Sequence, residues 1–338
     1  MADTKYNVGV IGYGMSAKVF HIPLILVTPS FNLHSIVQRT PKPNDDASKD
    51  HPEAKIYNSA DAIFADSSID IIVITTTPET HFPFAKAALQ AVSKQSGKFI
   101  CVYQNRRWDS DFLTVKKLIG DGTLGRIVEF ETHFDRYKGE KPTTWKGTLT
   151  MDNAGGVIYD LGTHLIDQAF YLFGLPKTVT AIFANQRADG SVEPDSITVL
   201  LGYGEKGPLV TAKAGVICVE EEQLRYWVRG SQGSFKKYHL DVQEDQLKAG
   251  LKPGDANFGV ESEDRSGRLV VFENGNPKGS TIKNVTPETY ATLYKGFADA
   301  IGSGSEDAVP VKASEARDVL RIIEAARESA KSGKTIEL

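Results

Sequence analysis

Asp160, His164 and Asp167 stand four and three residues apart within Gly155-Gly-Val-Ile-Tyr-Asp-Leu-Gly-Thr-His-Leu-Ile-Asp167. On a helix this spacing puts all three on one side. A carboxylate near an imidazole suits proton transfer at neutral pH, because it orients the ring and stabilises its charged form. The simpler reading is that Asp160 caps the helix and His164 is structural. A second constellation lies near the start, in Val8-Gly-Val-Ile-Gly-Tyr-Gly-Met-Ser-Ala17, where Gly12, Gly14 and Ala17 have the spacing G-x-G-x-x-A. Gly12 lets the chain turn sharply out of a strand. Gly14 lets backbone N–H groups approach a pyrophosphate, and Ala17 lets the next helix pack closely. With Met15 in the turn, the start of that helix offers free N–H donors and a positive dipole end to phosphates. The alternative is a tight strand-to-helix turn without a ligand.

These residues need a frame to hold them. Val8, Val10 and Ile11 read as a buried strand, and Lys18 to Val27 as a helix that Pro23 kinks or interrupts. Phe31 to Val37 alternates as a second strand. An acid after that strand would bond the ribose 2′-hydroxyl of NAD. The chain has Gln38-Arg39-Thr40 instead. Arg39 can pair with a 2′-phosphate and Thr40 can donate to it, which favours NADP over NAD, unless Arg39 is merely solvated. Pro41 to Pro52 reads as a loop, and Ser59 to Phe64 as a short helix capped by Ser59. Ile69 to Thr75 is an apolar run of the kind found in buried parallel strands. It ends in Thr75-Thr76-Thr77-Pro78-Glu79-Thr80-His81, and His81 opens a helix to about Lys94. Gly97 to Tyr103 is one more expected strand, and Ser110 to Ile119 an amphipathic helix before Gly120 and Gly122.

The periodicity changes after Gly125, which predicts a boundary there: a dinucleotide-binding domain over 1–125 and an α+β domain over 126–338. Ile127 to Phe134 alternates as a long strand. Gly139 to Asn153 is a polar loop containing Trp145. Thr178 to Asn185, Ile197 to Gly202, Leu209 to Val219 and Gln223 to Val228 read as one antiparallel sheet. Its exposed face or edge is a candidate surface for a second copy, or is simply solvated. Residues 240–280 read as loops over the sheet, and Thr286 to Ile301 and Glu315 to Ser332 as helices. The fold class is therefore α/β, a Rossmann-like domain followed by an α+β domain with an open, mostly antiparallel sheet.

Composition narrows the function. The chain has 338 residues, with 41% hydrophobic and 24% charged residues, which is ordinary for a globular protein of about two domains. A formal charge of −4 argues against a general nucleic-acid binder. Cys101 and Cys218 make neither a disulfide framework nor a zinc site, so no metal is expected. No signal peptide, membrane-length apolar run or C-terminal address is evident, so a cytoplasmic protein without a membrane partner is expected.

Taken together, Val8-Gly-Val-Ile-Gly-Tyr-Gly14, Thr77-Pro78-x-x-His81, Asp160-x-Gly-x-His164-x-x-Asp167 and the closing helix Glu315 to Ser332 resemble the Gfo/Idh/MocA oxidoreductase family. Asp241 to Gly250, with Pro253-Gly254-Asp255, looks like its NADP-dependent scyllo-inositol dehydrogenase branch. The resemblance covers nearly the whole chain. It implies hydride transfer between NADP and a carbinol carbon of a sugar, cyclitol or related polyol, in a homodimer or homotetramer joined through the second-domain sheet. It also implies that Asp160 binds a substrate hydroxyl and that His164 transfers the proton or partners the group that does. Asp167 and Trp145 complete the expected substrate-binding set. Thr76, Thr77, Pro78 and His81 would pass along the nicotinamide. One departure stands out. In the family the helix after Thr-Pro-x-x-His leads to a strand ending in Glu-Lys-Pro, whose lysine polarises the reacting oxygen. Here Ala87 to Ala91 passes to Ser96-Gly97-Lys98-Phe99 within a few residues. About one strand-and-helix unit, a dozen residues or more, is missing. Lys94 and Lys98 flank the junction as helix-end charges. Glu140-Lys141-Pro142, the one such tripeptide, lies in a polar loop after Gly125 and reads as a chance match. The resemblance therefore leaves two classes open: an active dehydrogenase, or a catalytically impaired, nucleotide- or sugar-sensing regulator.

Overall fold

The computed structural model describes residues 5–91, 99–191 and 193–338. They form two compact units that interleave in sequence. The first takes the chain up to Tyr103, then Gln243–Phe258 and Glu288–Lys312. The second takes Gln104–Val242, Gly259–Pro287 and Ala313–Leu338. Among the described residues, no helix is long and apolar enough to cross a membrane.

The first unit is built on a four-stranded sheet of β1 (Tyr6–Ile11), β2 (Phe31–Val37), β3 (Lys55–Tyr57) and β4 (Ile71–Ile74), in the order β3-β2-β1-β4. Every pairing is parallel. The apolar runs explain why: Val8, Val10, Ile11, Ile36 and Val37 are all buried. The chain leaves β1 toward β2 on one side and returns to the other side of β1 as β4. The carboxyl ends of β1 and β4 thus meet at the switch point of the sheet, where doubly wound folds bind ligands. After β1 comes a wide π turn, Ser16–His21, that passes into the α-helix Ile22–Val27. Pro23 sits in the first turn of that α-helix. There its missing N–H costs nothing, and the departure from α geometry falls just upstream of it.

The second unit is a nine-stranded sheet ordered β12-β11-β10-β9-β5-β8-β7-β6-β13. Its strands are β5 (Ile127–Asp135), β6 (Thr178–Ala184), β7 (Ser196–Gly202), β8 (Leu209–Gly215), β9 (Leu224–Gly230), β10 (Gly233–Tyr238), β11 (Gly267–Glu273), β12 (Asn276–Ile282) and β13 (Ile336–Glu337). Only the β5–β8 pairing is parallel. Inner-face residues such as Phe130, Val179, Ile197, Val199, Val210 and Ala212 join one core with Leu165 and Ile166 of the helix Thr163–Phe173 and Val319 and Ile323 of the helix Ala313–Ser332. The helix Ser110–Gly120, which precedes Gly125, adds Phe112, Val115 and Leu118 to this same core.

Several sequence expectations are corrected. From Phe99 to Tyr103 no strand forms; Cys101 makes a single bridge to Lys312, and Val102 N donates to Val311 O at 3.1 Å. An apolar run can take its backbone partners from a distant chain segment instead of a sheet neighbour. The first-unit helix expected from His81 begins at Pro78 and is described to Ala91, so its expected end at Lys94 lies outside the described residues. The 41–52 loop holds a short helix, Ala47–Asp50, capped by the Asp46 carboxylate on Ser48 N. Ser59 stands at the cap position of Ala60–Ala65 without a side-chain cap bond. The expected helix from Thr286 starts at Ala291, because Thr289 takes a positive φ of 58°. The stretch 240–280 is not all loop: it contributes the helix Gln243–Lys248, β11 and most of β12, whose hairpin turns on Asn274 and Gly275 at φ 51° and 80°. Asn-Gly is a strong hairpin signal. It was masked here because β12 is exposed along nearly its whole length and carries no apolar alternation.

Candidate functional site

At the switch point of the first unit, Gly12 has φ 105°, and its N–H donates to Val37 O at 3.2 Å. A Cβ at Gly12 would stand 3.0 Å from Thr75 Oγ1 and 3.2 Å from Thr76 Cγ2. Gly14 differs: a Cβ there would meet no atom within 4 Å. The turn is therefore closed behind by Thr75 and open in front. Met15 lies on that open side, exposed, and Ala17 is fully buried against the sheet. Lys18 N reaches back to Gly14 O at 3.1 Å, so the first N–H groups of the helix have no acceptor behind them. A glycine cradle with a helix start fits a dinucleotide pyrophosphate.

Arg39 and Thr40 follow β2 and are exposed. Arg39 has no ion pair or side-chain hydrogen bond among the described residues. The carboxylates nearby in sequence are engaged elsewhere. Asp45 pairs with Lys18, Tyr13 OH donates to Asp50 at 2.7 Å, and Asp46 accepts from Ser48. Gln38 braces the loop, with Nε2 on Asp45 O at 2.7 Å and Oε1 accepting Ala47 N at 2.8 Å. Beyond β4, Thr75 Oγ1 donates to Ile11 O at 3.0 Å, and Thr76 and Thr80 hydroxyls meet at 2.6 Å. Thr77 Oγ1 donates to Glu79 at 2.6 Å, and Pro78 opens the helix. His81 is exposed, and its Nε2–H donates to Thr76 O at 2.9 Å. His81 thus shapes this turn from one helical turn away.

In the second unit, Asp160 and His164 are brought together by a π turn, Ile158–Gly162, that runs into the helix Thr163–Phe173. A Cβ on Gly162 would come within 2.7 Å of Ile197 Cδ1, so glycine is what allows this turn to approach β7. Two cations reach Asp160: Lys146 Nζ at 2.5 Å and Arg136 Nη2 at 3.3 Å. Burial pushes the Asp160 carboxyl up, but Lys146, Arg136 and His164 outweigh it and hold the carboxyl below its ordinary range. Trp145 begins the short helix Trp145–Thr148, half exposed, with Lys146 Nζ 5.5 Å from its ring. Asp167 is not part of this cluster. Both its oxygens accept from Arg107, Nε and Nη2 at 2.8 Å each, and Arg107 Nη1 also reaches Glu315 at 2.7 Å. Burial raises the Asp167 carboxyl even beside that guanidinium. A bidentate pair of this kind ties helix to helix. Arg136 and Lys146 escaped the sequence reading because nothing in their local pattern links them to Asp160. Among the described residues, no cluster of metal-ligating side chains forms.

Residues 6–94 match the oxidoreductase family model for an NAD-binding Rossmann fold, and residues 116–338 match its C-terminal alpha/beta domain. The chain is 36% identical to the scyllo-inositol 2-dehydrogenase (NADP(+)) IolW of Bacillus subtilis (strain 168), covering 98% of this chain and 96% of that one. It is also 36% identical to the oxidoreductase YdgJ of Escherichia coli (strain K12), covering 99% of each. Among solved structures, Bacillus subtilis yvaA superposes with a TM-score of 0.90 at 35% identity, covering 100% of this chain and 99% of that one. The Yersinia pestis protein YPO2259 does so with 0.88 at 36%, covering 100% and 98%. With both halves matched and relatives alike over their full length, the chain belongs to the Gfo/Idh/MocA oxidoreductase family.

Proposed function

We propose that this chain is an NADP-dependent oxidoreductase acting on a secondary carbinol of a sugar, cyclitol or related polyol. The observation that carries the reading is Asp160, held ionised beside His164. An ionised Asp160 can accept a hydrogen bond from a substrate hydroxyl and orient it. His164 is the proton acceptor when the carbinol is oxidised and the donor when the carbonyl is reduced. Oxidation breaks one C–H and one O–H bond: the proton goes to His164, and two electrons leave with the hydride. Bound NADP supplies the hydride acceptor. Gly12, Gly14, Met15 and Ala17 would hold its pyrophosphate, and Thr76, Thr77 and Pro78 would line the nicotinamide side. Arg39, with Thr40, would take the 2′-phosphate; the absence of an acid after β2 supports this, as does the NADP(+) in the name of the Bacillus relative. That relative also supports a cyclitol among the substrates. A cytoplasmic homo-oligomer joined through the nine-stranded sheet completes the proposal. The test is a screen of sugars and inositols followed by nicotinamide absorbance, with NADP and NAD in parallel. Turnover with NADP on at least one polyol is expected. No turnover on any of them overturns the reading.

One observation favours a second reading, a catalytically impaired regulator. No Glu-Lys-Pro occurs in the first 125 residues, and the alignment with the Bacillus dehydrogenase runs over 358 positions against a chain of 338 residues. The junction between Ala91 and Ser96, with Lys94 and Lys98, lies outside the described residues. Inserting a strand ending in Glu-Lys-Pro and a following helix at that junction would raise turnover at least tenfold if this second reading is right. Unchanged turnover removes it.

A further inference from the structure

Withdrawing a hydride from a carbinol while its proton departs builds negative charge on the oxygen. A cation at hydrogen-bond distance lowers the cost of that charge. The second unit supplies more positive charge around Asp160 than one carboxylate requires, since both Lys146 and Arg136 reach it. A carboxylate in an ion pair is neutralised by one partner, so this cluster keeps one net positive charge beside His164.

The two cations are not equivalent. The Arg136 backbone is fixed just after β5: its N donates to Gly215 O at 3.0 Å and its carbonyl accepts Cys218 N at 3.2 Å. Its guanidinium is a rigid planar fork whose donors point only within its own plane. Lys146 comes from a four-residue helix, and its side chain is 35% exposed. Its ammonium has three donors, and one of them points at Asp160 Oδ1. The remaining two can reach a second oxygen without releasing the first.

Resting on the polyol reading, we infer that Lys146 is the catalytic cation of this site. It donates one hydrogen bond to Asp160 and another to the carbinol oxygen as that oxygen gives its proton to His164. No bond to Lys146 forms or breaks. In the reverse direction the same ammonium polarises the carbonyl that accepts the hydride. A surface ion pair of no catalytic consequence would leave turnover alone.

The test uses the full chain and the variants Lys146→Gln, Lys146→Arg and, as a control in the same loop, the exposed Lys141→Gln. The first arm needs no turnover: carbon-13 NMR titration of aspartate-labelled protein, with the Asp160 signal assigned from Asp160→Asn. The Asp160 carboxyl should titrate higher in Lys146→Gln than in the parent, and Lys146→Arg should restore the parent behaviour. An unmoved titration overturns the contact and the inference with it. The second arm is steady-state kinetics on the best polyol. Lys146→Gln should lose about 100- to 1000-fold in kcat, the usual cost of removing one such donor. KM should change far less, Lys146→Arg should recover a large part of kcat, and Lys141→Gln should match the parent. A parent that turns over, with Lys146→Gln equally fast, overturns the inference and leaves the functional reading standing. A parent that turns over no polyol fails the functional reading itself and takes the inference with it.

Discussion

Arg39 leaves β2 as an exposed guanidinium while Asp45, Asp46 and Asp50 are occupied by Lys18, Ser48 and Tyr13. On the proposed reading, Arg39→Ala should weaken NADP binding by about 10- to 100-fold, the loss of one charge-assisted hydrogen-bonding partner. NAD binding should stay as it was, and titration of both nucleotides by calorimetry reads the difference. Equal losses for the two would place Arg39 away from the 2′-phosphate. Glu261 belongs to the same scale. Burial pushes its carboxyl up to about 7, with Asp111 and Asp241 acting in the same direction and Lys237, 2.9 Å away, opposing. The folded-state value is raised above the ordinary 4.5, so the folded chain binds this proton more tightly than the unfolded chain. Its contribution to stability is therefore full below about pH 4.5 and is lost as pH rises through about 7. Urea midpoints should fall between pH 5 and pH 8, by up to about 3 kcal/mol in stability from this group. Glu261→Gln should flatten that fall, and identical slopes in the two proteins would refute the assignment.

At the scale of the element, the glycine turn separates two effects that a motif treats alike. Gly12 holds a positive φ with Thr75 and Thr76 behind it, whereas Gly14 faces open space. Gly12→Ala should destabilise the protein by about 1–3 kcal/mol, because the strained backbone and the close hydroxyl act together. Gly14→Ala should leave the melting temperature unchanged and weaken nucleotide binding alone. Thermal melts with and without nucleotide distinguish them, and a melting temperature lowered equally by both would show that the turn is only structural. The π turn Ile158–Gly162 makes the same point for Asp160 and His164. An ideal helix from Asp160 to Asp167 would keep Asp160, His164 and Asp167 on one side. The wide turn leaves Asp160 with His164, while Asp167 goes to Arg107.

In the second unit, one sheet face packs against the helices Thr163–Phe173 and Ala313–Ser332. The opposite face is mostly polar, with Glu131, Thr198, Thr211 and Lys213, but Ile182 is 71% exposed and Leu200 37%. If the chain assembles through this sheet as proposed, Ile182→Glu should shift it to a smaller species in sedimentation velocity at micromolar concentration. The fold of each chain should persist, since this side chain faces away from the core. A parent that sediments as a monomer would end the assembly proposal.

The glycine turn, β2, the helix Ser110–Gly120, the strands from β5 to β9 and the closing helix were all legible along the chain. Their signals are local: apolar period, a breaker at each end, or a glycine where the backbone must turn. Together they determined the fold class and the family resemblance. Legibility failed where backbone partners come from a distant segment or where there is no burial to read. Cys101 and Val102 pair with the 311–312 stretch, and β12 is a strand whose side chains are almost all in solvent. The candidate site shows the same division. Asp160 and His164 are four residues apart, so their meeting is a property of one turn. Arg136 and Lys146 reach Asp160 from 24 and 14 residues upstream, and Arg107 reaches Asp167 from 60. Charges carry no register of their own, so only the packing of β5, its following loop and the helix Thr163–Phe173 decided which carboxylate would meet the cations of the site and which would be spent on holding the helices together.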